Sequence, residues 1–298
     1  MKHVTSPTCQ TGRGQTQTEP IRMKVPLLQF VGMPVLCPVL GHTYHRVNTP
    51  TLSSSKPHLR VLSWNIHKGV GGLDRRYDLG RTIAVLEHYA PDIVMLQEVA
   101  QGIKRLNWHD QVETIAAALN LNGAFYPEHR FRFGAYGNLI LARWPIHESS
   151  HVDLTVGRKK TRGMVQAHIT LRIEDHQRTI VINNLHLGLA SRERGLQLDR
   201  MLLSQPLQKL HRSTPVIVGG DLNDLWGTLG PQYLLPMGFE RAGRLANTFP
   251  SALPLRPLDG LFYRGALRLE NFEVARTRLA HTASDHRPIY ADFVLLPD

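Results

Sequence analysis

Cysteine is almost missing from this sequence. Cys9 and Cys37 are the only two in 298 residues, and the stretch from His58 onward has none. That excludes a disulfide framework or a cysteine-ligated zinc site in the main body of the chain. Long apolar runs are missing too. Val25–Gly41 is apolar, but Pro26, Pro34 and Pro38 interrupt it and Gln29 sits inside, so it is too short and too broken for a membrane helix. No repeat recurs at a solenoid period, and no linker-like stretch follows residue 58. What is present reads as globular: 42% of residues are apolar and 20% charged. The length leaves room for one large core.

The net charge is +11, which favours anionic partners such as nucleic acid or acidic lipid. The surplus is unevenly placed. Residues 1–57 hold six Lys/Arg and one acid, leaving 29 bases against 23 acids in residues 58–298. The main domain is thus only moderately basic. Residues 1–57 are rich in Thr, Gln, Pro and Ser and show no period, as a flexible extension does. The expected division is an extension over 1–57 and one catalytic domain over 58–298. Cysteine usage suits a reducing, cytoplasmic location. Export is the alternative, since Lys24 and the apolar run after Met23 resemble a leader peptide.

From His58 the pattern is regular. Strands are expected at Leu59–Ile66, Ile93–Leu96, Leu139–Leu141, Met164–Ile173, Thr179–Leu187, Val216–Val218, Leu258–Tyr263, Leu267–Val274 and Ile289–Leu295, with a hairpin turn at Glu174–Arg178. Amphipathic helices are expected at Asp78–Tyr89, Trp108–Leu119 and Glu193–Leu210. Mixed βα units and hairpins imply layered α/β with mixed sheets.

Polar residues interrupt the strands at their ends, where a rigid platform can gather groups from several segments. Asn65 and His67 follow the first strand, and Glu98 ends the second. His186 ends another; Asp221 and Asn223 follow Val216–Gly220. Asp259 precedes Leu261–Tyr263, and Asp285 and His286 precede the last strand. Each alone has a plain structural reading as a cap, turn residue or bonded core histidine. Their joint occurrence at strand boundaries is the informative fact. Arg162 closes the basic stretch Arg158–Arg162, which is either a solvated loop or a phosphate-binding element. Phe125, Tyr126, Phe131, Phe133 and Tyr136, interleaved with His129, Arg130 and Arg132, either stack on bases or form a packed loop.

The series Ser-Trp-Asn65-Ile-His, Leu-Gln-Glu98-Val, Tyr136-Gly-Asn138, Asn184-Leu-His186-Leu, Gly-Gly-Asp221-Leu-Asn223-Asp, Leu-Asp259-Gly and Ser-Asp285-His286-Arg-Pro resembles the ordered motifs of the endonuclease/exonuclease/phosphatase superfamily. The resemblance runs from about Leu59 to Leu296. It implies a four-layer α/β/β/α sandwich of two mixed β-sheets flanked by helices, and a metal-dependent phosphoesterase with nucleic acid as first substrate. It also implies Mg²⁺, or Mn²⁺, on Glu98 with Asn65 and Asp285; carboxylates and amides are hard oxygen ligands that suit such ions. By the same resemblance His186, Asp221, Asn223, Asp259 and His286 carry catalysis, Asp259 fixing the His286 tautomer. Either Asp221 or the Asp259–His286 pair is the base. Asn138 and Arg162 serve the substrate side, Asn138 by bracing the site.

Some details depart from named branches. Gln97–Glu98 continues as Val99–Ala100 rather than Thr-Lys, and Asp259 is followed by Gly260 rather than Tyr, which argues against abasic-site repair. The opening Asn65–Gly69 is most similar to compact bacterial members. A phospholipid diesterase, a soluble phosphomonoesterase and a catalytically silent module are the alternatives. No obligate protein partner is evident.

Overall fold

The strand His58–Asn65 sends Leu59 and Val61 to one side and Leu62 and Trp64 to the other, and all four are buried. A strand apolar on both faces must be covered on both faces. The computed structural model describes residues 42–44, 51–52, 58–173 and 176–297, and it meets that demand with four layers.

In chain order the elements are β1 (His42–Tyr44), β2 (Thr51–Leu52), β3 (His58–Asn65), α1 (Leu79–Tyr89), β4 (Ile93–Gln101), α2 (Gln111–Leu119), β5 (Asn122–Arg130), β6 (Ala135–Ala142), β7 (Ile146–Asp153), β8 (Gly163–Ile173) and β9 (His176–His186). Then follow α3 (Ser191–Leu202), α4 (Gln205–Gln208), β10 (Val216–Asp221), β11 (Glu240–Arg241), β12 (Asp259–Arg264), β13 (Leu267–Val274), α5 (Arg278–Ala283) and β14 (Ile289–Leu295). The first sheet runs β1-β5-β6-β4-β3-β14-β13. The second runs β11-β12-β10-β9-β8-β2, with β7 also on β8. Both are mixed: β3/β4 and β9/β10 are parallel pairs among antiparallel ones.

Three apolar clusters define the layers. Val61, Ile93, Met95, Ile140, Ile182, Ile217 and Phe293 belong to the core between the sheets. The alternate residues Leu62, Trp64, Val94 and Leu96 pack with α1, α2 and α5. Val181, Val216 and Val218 pack with α3 and α4 on the opposite face. The period of two thus assigns each strand's residues to two different layers.

Several expected boundaries move for identifiable reasons. The helix expected over Glu193–Leu210 is two, because Pro206 in the first turn of α4 lacks an N–H and its ring would clash with a continuous helix. The helix expected from Trp108 starts at Gln111, capped by Asp110, whose side chain accepts from the Glu113 N–H at 3.1 Å. Among the strands after His58, β5, β7 and the two-residue β11 are not among those expected; β7 is polar and largely exposed, so it carries little hydrophobic pattern. Glu174 and Asp175 of the expected turn lie outside the described residues, and Arg178 already belongs to β9. Most of residues 1–57 also lies outside them. The two described pieces pair with the sheets, β1 on β5 and β2 on β8, so strand pairing begins before the expected boundary at His58.

A buried polar clasp joins the middle of the two sheets. Asn184 of β9, fully buried, donates to the Leu96 carbonyl at 2.8 Å and the Leu139 carbonyl at 3.0 Å, and accepts from Gln97 Nε2 at 2.7 Å. Leu96 pairs with Leu139 and Val99 with Gly137, so Gln97 and Glu98 together oppose Asn138 in a β-bulge. Asn184 clasps that bulge from the other sheet. Replacing Asn184 by Ala would remove three buried hydrogen bonds, worth about 0.5–1.5 kcal/mol each. Asn184→Ala is expected to lose about 2–4 kcal/mol in denaturant unfolding; a loss under about 0.5 kcal/mol, the usual size of surface substitutions, would show the clasp to be dispensable.

Candidate active site

Strand register gathers the first half of the site. Asp221, the last residue of β10, lies beside His186 at the end of β9 and beside Asp259 at the start of β12. Gly220 makes this closeness possible. Its φ is +137°, and a Cβ there would lie 2.0 Å from the Leu185 carbonyl oxygen. Asn65 enters from the end of β3 in the other sheet and donates through Nδ2 to Asp221 Oδ2 at 2.9 Å.

Asp221 is buried between two histidines. His186 Nε2 lies 3.3 Å and His286 Nε2 3.8 Å from Asp221 Oδ2. His286 Nδ1 is 2.9 Å from Asp259 Oδ2, an oxygen that also accepts from Thr248 Oγ1. Burial pushes His286 down, but Asp259 and Asp221 outweigh it and raise it to about 10, so it is an imidazolium at neutral pH. Burial, with Arg162 and Lys160 beside it, pushes His186 well below the ordinary histidine range and keeps it neutral. Its Nε2 stands 3.3 Å from Asp221 Oδ2, while Nδ1 is buried without a hydrogen-bond partner. Burial lifts Asp221 to about 6 against the pull of His286; Asp259 adds to the rise, and the Asn65 amide and Asn223 N–H oppose it.

The bulge supplies the second half. Glu98 has φ +57°, a left-handed conformation that turns its carboxylate into the cavity. Lys68 Nζ donates to Glu98 Oε2. Burial pushes the Glu98 carboxyl up, but Lys68, with Lys160 and His67 further off, outweighs it and the net shift is down. Asp285 faces the same cavity with Oδ2 3.8 Å from His67 Nδ1. Glu98 and Asp285 are hard oxygen donors, and the Lys68 ammonium on Glu98 shows that the position accepts a cation; the residues fit a small divalent ion. Asp221, Asp259 and His286 also stand close enough to share an ion. There, however, His286 Nδ1 is already engaged by Asp259 at 2.9 Å.

Arg162 forms the third element. It is buried and lines the cavity, yet its Nε and Nη1 have no hydrogen-bond partner. Glu128 Oε2 stands 3.9 Å away, beyond hydrogen-bond reach. Full burial raises Glu128 to about 8 even against Arg162, so it is mostly neutral at pH 7 and leaves the guanidinium charge unbalanced. Glu128 Oε1 instead accepts from Asn138 Nδ2 at 2.6 Å and the Gly163 N–H at 2.9 Å.

The cavity of about 470 Å³ therefore takes Asn65, Glu98, Arg162, His186, Asp221, Asn223, Asp285 and His286 in its wall. Asp259 stands one layer behind, as the His286 partner. Asn138, expected on the substrate side, is a correction: it is fully buried off the cavity wall, its Nδ2 spent on Glu128 and the Gly163 carbonyl. Asn223 also differs, since its Nδ2 already donates to the Leu187 carbonyl at 2.9 Å and only one amide hydrogen is left for a ligand. The Asn65 side-chain Oδ1 accepts the His67 N–H at 3.0 Å, so one of its lone pairs is engaged. Lys68, Lys160 and Glu128 were missed as site residues. Lys68 and Lys160 carried a signal, inside the Asn65–Gly69 opening and the basic stretch Arg158–Arg162, whereas Glu128 acts through contacts remote in sequence. The aromatic group divides: Phe125 is buried, Tyr126 stacks on His151, and Tyr136 lies beneath Lys68 and Lys160, leaving Phe131 and Phe133 exposed.

The endonuclease/exonuclease/phosphatase family model matches residues 62–286. The uncharacterized protein YbhP of Escherichia coli (strain K12) is 32% identical over 249 residues, 79% of this chain and 96% of its own length. Among solved structures, an endonuclease/exonuclease/phosphatase from Beutenbergia cavernae DSM 12333 shares the fold at TM-score 0.66 and 21% identity, over 80% of this chain and 72% of that one. The human Nocturnin catalytic domain, solved with a bound sulfate anion, does so at TM-score 0.61 and 21% identity, over 80% and 93%. The chain belongs to the endonuclease/exonuclease/phosphatase family, whose members are generally hydrolases of phosphate esters and typically depend on metal.

The raised His286 has a definite pH consequence. A histidine raised on folding adds stability that is complete below its unfolded pKa, near 6.5, and is lost as pH climbs through the folded value, about 10. Nitrogen-15 NMR of the histidines is expected to show both His286 ring nitrogens protonated at pH 8, and Asp259→Asn to lower that pKa. A neutral His286 ring at pH 7 would contradict the arrangement.

Proposed function

We propose that this chain hydrolyses a phosphodiester by attack of water, with a divalent cation, Mg²⁺ or Mn²⁺, held at Glu98. The observation that carries the reading is Arg162: a buried guanidinium with open donors, facing the same cavity as the Asp221 carboxylate and the His286 imidazolium. A buried, unbalanced cation is costly unless an anion completes it, and a guanidinium fork suits phosphate oxygens. The fork can hold the two non-bridging oxygens of a diester, and Lys68, Lys160 and Arg256 add positive charge to the cavity wall.

Glu98, flanked by Asp285 and Asn65, would hold the cation. When bound, that ion withdraws charge from a phosphoryl oxygen. The chain's own groups do the rest. Asp221 takes the proton from the attacking water, oriented by the Asn65 amide and the His186 Nε2–H. His286 is held as a cation by Asp259 and so serves as a donor to the charge that grows on the phosphoryl oxygens, not as the base. Arg162 fixes the phosphate, and Asn223 has one amide hydrogen to add. The chemistry at phosphorus is the same for a nucleic-acid and a lipid diester.

The test uses the purified full chain with Mg²⁺ or Mn²⁺ and two soluble esters, bis(p-nitrophenyl) phosphate and p-nitrophenyl phosphate. The diester is the expected substrate, with turnover abolished by EDTA. Asp221→Asn and Arg162→Gln are each expected to lower kcat/KM by about 10²–10³-fold. Glu98→Gln is expected to lose Mn²⁺ binding by electron paramagnetic resonance while staying folded. Turnover that survives EDTA or Asp221→Asn would sink the proposal, and preference for the monoester would reassign the chain as a phosphatase.

A further inference from the structure

The cavity floor is charged, but one side of its rim is greasy. Three loops carry exposed apolar side chains there. Leu189, between β9 and α3, is 76% exposed, and Leu225 is 38% exposed; both line the cavity. Trp226, next to Leu225, is 80% exposed. Leu245 lies against the neighbouring Gly227 and is itself exposed. Leu253 and Leu255 are 65% and 66% exposed on the loop between Phe249 and Arg256, whose two ends line the cavity. None of these six belongs to the apolar clusters of the core. Solvated monomers rarely gather so many large apolar side chains around one opening, and such patches mark an interaction surface.

Their chemistry and surroundings choose among partners. Five of the six are leucines. An aliphatic side chain offers no ring face to a nucleobase, so the rim is poorly suited to stacking on nucleic acid. Cations sit among them. Arg256 is exposed on the cavity edge beside Leu255, and Arg244 adjoins Leu245. Arg244, Arg276 and Arg287 share a groove with Leu245 and Pro254, where Glu273 is the one acid among the described lining residues. Apolar tips flanked by arginines complement the acyl boundary and anionic headgroups of a bilayer. Among the described residues no helix is long and apolar enough to cross a membrane, so this contact would be made from the side, by loops.

We infer that the rim formed by Leu189, Leu225, Trp226, Leu245, Leu253 and Leu255 seats the cavity on an anionic bilayer, and that the diester cleaved is carried by a phospholipid. This rests on the phosphodiesterase reading above and names its substrate class. Water's oxygen bonds to phosphorus and the bond from phosphorus to the leaving oxygen breaks. The proton released by the water ends on that oxygen, so a phosphomonoester and an alcohol form with no further reactant.

The experiment compares the full chain with the triple variant Trp226→Ser, Leu253→Ser, Leu255→Ser, all exposed positions outside the catalytic groups. Flotation with vesicles of phosphatidylethanolamine, phosphatidylglycerol and phosphatidylcholine in equal parts reads binding. Mass spectrometry of the vesicle lipids with Mg²⁺ present reads hydrolysis. Soluble bis(p-nitrophenyl) phosphate reads the chemistry, and circular dichroism the fold. The wild type is expected to float and to cleave lipid. The variant is expected to bind vesicles at least about tenfold more weakly and to lose lipid turnover in proportion, with soluble turnover unchanged. A wild type that does not float, a variant that floats equally well, or binding without lipid cleavage overturns the inference while soluble turnover preserves the proposed function. Tighter binding to a DNA or RNA oligonucleotide that the same substitutions abolish assigns the rim to nucleic acid instead, and self-association that they abolish assigns it to a second copy. Loss of turnover on every ester would mean that the phosphodiesterase reading itself had failed.

Discussion

Asn184 is the point on which the site's geometry hangs. Two apolar sheet faces can slide over one another with little penalty, because dispersion contacts have no strong direction. A buried amide is different. Its three bonds to Leu96, Leu139 and Gln97 are satisfied in one relative placement of the sheets, and any slip would orphan polar groups in a dry interior. The clasp also falls on the bulge that turns Glu98 toward the cavity. The contact that registers the sheets therefore also fixes where the acid from one sheet stands relative to His186, two residues further along β9, and Asp221 from the other.

With the sheets registered, the charges divide by environment. Glu98 is held ionised by Lys68, whereas Glu128, a neighbour in space, is pushed up to about 8 by complete burial. The consequence lies with Arg162. Its nearest acid is mostly neutral and stands beyond hydrogen-bond reach, so the positive charge faces the cavity undiminished. An ionised Glu128 would have satisfied it. A protonated one instead braces the loop, through Asn138 and the Gly163 N–H, and keeps the guanidinium available.

Much of this was legible in the sequence, and the parts that were not share a cause. Asn65, Glu98, His186, Asp221 and His286 stood out because polar groups break apolar runs at fixed places; Glu98, expected at the end of its strand, lies instead in a bulge inside β4, which runs on to Gln101. The strand and helix pattern gave layered α/β with mixed sheets, and the motif resemblance implied the four layers that the structure shows. Asn138 lies in a motif yet braces the site from behind, because the direction of its side chain depends on the bulge opposite and on a second irregularity at Glu128 in β5. Glu128, between Pro127 and His129, gives no local sign that it will be fully buried. Lys68 was visible, but its reach to Glu98 depends on three consecutive positive φ angles at His67, Lys68 and Gly69, which residue types alone do not dictate. The break at Pro206 was readable, and the periodicity around it masked it. What escaped is non-local: contacts between sheets and bulges, where one residue's role is set by a partner dozens of positions away.

The two histidines on Asp221 show how little is needed to give identical side chains opposite work. Both are buried and both point Nε2 at the same carboxylate oxygen. The difference lies at the other nitrogen. His286 Nδ1 meets Asp259, a second carboxylate, so the ring gains more from a proton than burial takes away. His186 Nδ1 meets nothing, and Arg162 and Lys160 stand beside it, so burial wins and the ring stays neutral. Environments that push like groups apart in pKa separate donor from acceptor roles within a single site. Here the separation follows from strand order: β12 lies against β10 and brings Asp259 to His286, while β9, on the other side of β10, brings His186 no such partner. The order of strands in one sheet thus fixes which imidazole meets a second carboxylate, and in the proposed reaction it thereby leaves Asp221 to take the proton from water.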